Sequence, residues 1–146
     1  MCAVSETTRD NSITLEATVR NLNLIMAFLD ERLDAWGCPM RKRMAIELAV
    51  EEVYVNIANY AYAPGSGEAT MRAELETSDA ARTIVITFID QGIPFNPLTS
   101  EEPDVSLPVD ERKIGGLGIF LVKKTMNAVE YRYENGSNIL TIRKKM

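Results

Sequence analysis

The hydrophobic period changes along this chain in an order that leaves few folds open. Leu22, Ile25, Leu29, Leu33 and Trp36 recur at helical spacing and stop at Gly37, a natural C-terminal cap. A second helical stretch runs from about Pro39 to Tyr62 and breaks at "APGSG". From there the period becomes two. "ATMRAELET" turns Met71, Ala73 and Leu75 inward against Arg72, Glu74 and Glu76, and "RTIVITFID" is a more continuously apolar strand ending at Asp90. Upstream, "SITLEATV" (12–19) reads as a first strand. Near the end a short helix, 118–127, precedes "VEYRYENGSNILTIRKK", two alternating strands around the turn pair Asn135-Gly136. The order β-α-α-β-β-loop-α-β-β predicts an α+β fold: a two-layer sandwich with helices on one face of a mixed, mostly antiparallel sheet. No repeat or interdomain linker interrupts it, so residues 1–146 are expected to form one domain.

What the chain lacks narrows its chemistry. It has no histidine, which removes Ser-His-Asp and Cys-His catalysis and histidine metal sites, so any general base must be a carboxylate, a lysine or a tyrosine. The formal net charge of −5 argues against nonspecific binding to nucleic acid or an anionic membrane. No apolar run reaches the ~18 residues of a membrane span. "MCAVSETTRDNSITLE" has no basic start followed by an apolar stretch, so no signal peptide is expected. Cys2 and Cys38 read as free thiols in a reducing cytoplasm.

The second helix carries a sharper signal. Ile46, Ala49, Val50, Val53, Ile57, Tyr60 and Ala61 share one apolar arc, with Glu47 and Glu51 beyond one edge as a solvated face. Glu52, Asn56 and Asn59 fall within roughly 60° of one another on the opposite edge. A half-exposed helix flank would show the same residues. Yet asparagine lowers helix propensity, and nothing in a purely structural role requires two of them. A carboxylate and two amides side by side offer a site to a hard cation such as Mg²⁺, which suits an asparagine oxygen, with Glu52, one turn before Asn56, as a base or a holder of metal-bound water.

Two further elements carry chemistry. In "DQGIPF" (90–95) Asp90 stands at a strand end, placed to accept a hydrogen bond from a ligand amine, and Gly92 lets a flat ring approach the backbone; a plain strand-to-turn transition reads the same way. In "ERKIGGLGIFLVKK" (111–124) three glycines lead into a helix. The run fits neither the Walker A loop nor the dinucleotide fingerprint. What it offers is the free N–H groups of Gly116, Leu117 and Gly118 at a helix start, where phosphate oxygens bind.

In this order, Glu52-x-x-x-Asn56, Asp90-x-Gly92 and Gly116-x-Gly118 resemble the N, G1 and G2 boxes of the GHKL ATPase/kinase superfamily, and within it the small anti-sigma-factor serine kinases of bacterial partner-switching systems. The resemblance extends over almost the whole chain. It implies ATP and Mg²⁺ as ligands, with Asn56 on the metal, Asn59 among the residues that bind the nucleotide, Glu52 as base toward a protein serine, and Asp90 on the adenine amino group next to Gly92. It further implies that Gly116, Leu117 and Gly118 hold phosphates, that about 97–115 is the ATP lid, and that Arg112 and Lys113 reach toward the γ-phosphate. Asn96 stands where such proteins often carry aspartate. The implied partners are a STAS-domain anti-sigma-factor antagonist and a sigma factor, and the resemblance allows a homodimer. The implied location is the cytoplasm. A nucleotide-responsive module that sequesters partners without phosphorylating them is the other reading of the same boxes.

Overall fold

A computed structural model describes residues 7–9, 11–78, 81–97 and 116–146. Six strands form one sheet: β1 (Thr7–Arg9), β2 (Ser12–Glu16), β3 (Glu68–Thr77), β4 (Arg82–Asp90), β5 (Ala128–Glu134) and β6 (Ser137–Lys145), in spatial order β1-β2-β3-β4-β6-β5. All five pairings are antiparallel. The helices are α1 (Leu22–Ala35), α2 (Met40–Tyr60) and α3 (Gly116–Thr125), with a 3-10 turn over Val19–Asn21 before α1. The expected first strand therefore stops at Glu16, and the edge strand β1 was not foreseen. α3 begins two residues earlier than the sequence predicts, so Gly116 to Gly118 lie inside its first turn.

The sheet's inward face is built in rungs. One reads Ala73, Ile86, Ile142 and Val129; the next reads Ile13, Met71, Phe88, Leu140 and Tyr131. Against them pack Ile25, Leu29 and Leu33 from α1, Ile46, Ala49, Val50 and Val53 from α2, and Val122 and Met126 from α3. Each of the larger aliphatic side chains, fully buried, is worth about 1.5–3 kcal/mol relative to leaving it exposed. The third rung breaks the pattern. It reads Leu15, Ala69, Asp90, Asn138 and Tyr133, so the apolar face ends in a pair of buried polar side chains.

Local conformations follow from residue type. Gly37, just beyond α1, has φ of 66°, and the β5–β6 turn places Asn135 at 53° and Gly136 at 81°, the left-handed pair that a two-residue hairpin needs. Tyr54, unremarked in the sequence, is wholly buried; its hydroxyl donates to Thr18 O at 2.6 Å and accepts from Thr18 N at 3.1 Å, tying α2 to the chain leaving β2. Tyr60, assigned by periodicity to the apolar arc, is 40% exposed instead, whereas Ala61 next to it is buried as expected. No described helix is long and apolar enough to cross a membrane.

Candidate functional site

α2 lies along the sheet from one end to the other. Near its start, Lys42 Nζ donates to Lys145 O at 2.8 Å, at the C-terminal end of β6. At its finish, Ala61 O accepts from Ile93 N at 2.9 Å, beside the end of β4. α3 ends where α2 begins: Lys144 Nζ donates to Thr125 O at 2.5 Å. α2 and α3 pack against each other. At a rise of ~1.5 Å per residue, counting back along α3 from that shared end brings its first turn to about the level of Glu52 on α2.

On that stretch of α2, Glu52 and Asn56 are half-buried, one turn apart, beside the buried Val53; Asn59 is exposed. Among the described residues no side chain pairs with any of the three. The contrast with the first half of the helix is sharp. Glu47, expected on a solvated face, instead accepts from Arg43 Nε at 3.4 Å, and Arg43 also pairs with Asp34 and lies 3.4 Å from Asp30. Polar groups that α2 uses for structure are paired; among the described residues Glu52 and Asn56 are left open.

Asp90 and Gly92 meet the far end of α2. Gln91 N donates to the Tyr62 hydroxyl at 2.8 Å, which donates on to Glu68 O at 2.5 Å. A β-carbon on Gly92 would stand 2.2 Å from Ala61 O, so this position needs glycine for the approach of α2's terminus, whatever else approaches it. Asn56 lies five residues before Ala61, about 7.5 Å along the axis.

Asp90 is 4% exposed. Its Oδ1 accepts from Gly92 N at 2.9 Å and from Asn138 Nδ2 at 3.0 Å. Every hydrogen bond that the described residues give Asp90 falls on Oδ1, and Oδ2 is not among the fully enclosed unpaired atoms. That oxygen has no partner among the described residues. Asn138 itself went unnoticed in the sequence. The signal was there: it holds the inward position of an alternating strand ahead of Leu140 and Ile142, where an apolar residue is expected.

Gly116, Leu117 and Gly118 open α3, whose first N–H groups have no intrahelical acceptor. Arg112, Lys113 and all but the first residue of the 97–115 segment lie outside the described residues.

Comparison with known proteins decides the family. The model of the histidine kinase-like ATPase domain matches residues 15–144, nearly the whole chain. The chain belongs to the histidine kinase-like ATPase domain family. Among curated relatives, the serine/threonine-protein kinase BtrW of Bordetella bronchiseptica is 28% identical over 109 residues, covering 75% of this chain and 73% of that protein. The serine-protein kinase RsbW of Halalkalibacterium halodurans is 33% identical over 95 residues, covering 62% of this chain and 56% of that protein. RsbW of Bacillus mycoides is 26% identical, and the match covers 59% of it. A chain in the crystal structure of the SiaB-SiaC complex from Pseudomonas aeruginosa shares the fold, with a TM-score of 0.53 at 15% identity over 91% of this chain and 89% of that one.

Proposed function

We propose that this chain is an ATP-dependent protein serine kinase and anti-sigma factor, acting in the cytoplasm on a STAS-type antagonist and also sequestering a sigma factor. The observation that carries the reading is the half-buried Glu52–Asn56 pair, without partners among the described residues, on the half of α2 whose end meets the Asp90 turn, where Oδ2 stays open. The family supports ATP use, and relatives named serine-protein kinases support the serine acceptor.

The residues fit these ligands. Asp90 Oδ2 accepts from the adenine amino group, a charge-assisted bond inside a buried site. The α3 start offers N–H groups and the positive end of a helix dipole to phosphate. No three His, Cys, Asp or Glu side chains cluster as a metal cage among the described residues. One amide oxygen from Asn56, with phosphate oxygens and water, is the donor set that Mg²⁺ accepts. When bound, Mg²⁺ supplies charge neutralisation for the phosphates. In the transfer itself the serine Oγ attacks the γ-phosphorus, the bond from that phosphorus to the β,γ-bridging oxygen breaks, ADP leaves, and the serine proton passes to the Glu52 carboxylate.

Glu52→Gln is the test. It should slow transfer to a STAS-domain protein by roughly 10²–10⁴-fold while ATP binding stays nearly unchanged. Equal phosphoserine formation by variant and parent would remove Glu52 from this role. No phosphoserine from either would favour the nucleotide-responsive module that binds without catalysis.

A further inference from the structure

Asp90 and Asn138 are the two polar side chains that the described core encloses, and they face each other across β4 and β6. Asp90 has a chemical role in the proposed site; Asn138 has none so far. A primary amide has two N–H donors and one oxygen with two acceptor directions. Asn138 uses all of them within the protein. Nδ2 donates to Asp90 Oδ1 at 3.0 Å and to Ile93 O at 2.9 Å, with Gly92 O a longer third acceptor at 3.4 Å. Oδ1 accepts from Phe95 N at 3.2 Å and from the Tyr131 hydroxyl. The partners also fix which way round the amide sits. Turning it over would set oxygen against a carboxylate and two carbonyls, and nitrogen against an N–H.

A saturated amide has nothing left to offer a ligand. What it does instead is join three things: the carboxylate of Asp90, the backbone of Gly92 to Phe95, and Tyr131 on the edge strand. With Asp90 Oδ1 occupied from two sides, the carboxylate plane is set and Oδ2 is the oxygen that stays open. The same bonds pin a segment whose Ile93 and Phe95 side chains stand exposed.

We infer that Asn138 is a positioning residue for the nucleotide site, orienting Asp90 toward the base and fixing the 92–95 backbone without contacting the ligand. The inference rests on the proposed nucleotide reading.

The experiment compares the parent chain with Asn138→Ala and Asn138→Asp by two measurements. One is ATP affinity by calorimetry between pH 5 and 8. The other is backbone amide exchange at Gly92 and Phe95 in ligand-free protein. Asn138→Ala should lose exchange protection at Phe95 and weaken ATP binding about tenfold or more. Asn138→Asp, nearly isosteric and safe if the alanine variant fails to fold, sets two carboxylates face to face. Its affinity relative to the parent should be poorest at pH 8 and recover toward pH 5, where the pair shares a proton. A purely structural asparagine would shift thermal stability without that pH dependence.

Loss of protection at Phe95 with ATP affinity within twofold of the parent would overturn the inference and leave the nucleotide reading standing. So would an Asn138→Asp affinity ratio that stays constant with pH. A parent chain that does not bind ATP would overturn the nucleotide reading itself and the inference with it, and the ligand-free exchange data would still show whether Asn138 orders the segment.

Discussion

Asp90 and Glu47 are both carboxylates with structural partners, and the partners assign them opposite work. Asp90 keeps one oxygen out of its hydrogen bonds to Gly92 and Asn138. Asp90→Asn should therefore weaken ATP binding by about 1.5–3 kcal/mol, tenfold or more, because a charged acceptor is lost. Calorimetry checks this, and unchanged affinity would place the base elsewhere. Glu47 sits where the neighbouring Asp30 carboxylate, together with burial, holds its carboxyl above the usual carboxylate range despite Arg43. A raised pKa means that the fold favours the protonated acid. Its contribution is fully present below the unfolded value of about 4.3 and lost as pH rises through the folded value. Glu47→Gln should then raise the melting temperature at pH 7, with the gain shrinking as pH falls toward 4. A gain that is the same at both pH values would contradict the assignment.

α2 is the element on which the site depends. Its apolar arc was legible because Ile46, Ala49, Val50 and Val53 repeat at 3.6-residue spacing, and all four are buried. The polar flank was legible from the same arithmetic. Two things were not. Periodicity extends an arc to the helix end, so it included Tyr60, which lies exposed in the last turn. It also cannot say where a helix terminus docks. The packing of Ala61 against Gly92 joins residues 31 positions apart in sequence, and no local pattern encodes it. Gly92→Ala should cost about 1–3 kcal/mol of stability, as forced overpacking does, because the new methyl meets a backbone carbonyl that cannot rotate away. Denaturant unfolding measures it. Stability equal to the parent would mean that α2's end yields without cost. ATP affinity should fall as well, since Asp90 sits two residues away.

For the molecule as a whole, topology brings together what the sequence kept apart. Strands, helices and their order could be read because the hydrophobic period switches cleanly from helix to strand. The edge strand β1 could not, since three residues carry too little pattern to show alternation. The Asp90–Asn138 pair could not either: it depends on the insertion of β6 between β4 and β5, a pairing of strands 48 residues apart that the hairpin signal alone leaves undetermined. That topology sets Asp90 and Asn138 beside the C-terminal end of α2, the helix that also carries Glu52 and Asn56.

The most direct test is a calorimetric titration of ATP into the parent chain and into Asn56→Ala, each with and without Mg²⁺. The parent should bind ATP and bind it more tightly with the metal, whereas Asn56→Ala should lose most of the metal's contribution. Heat that is absent from the parent at saturating ATP, or binding equally insensitive to Mg²⁺ in both proteins, would contradict a nucleotide–metal site at this end of α2.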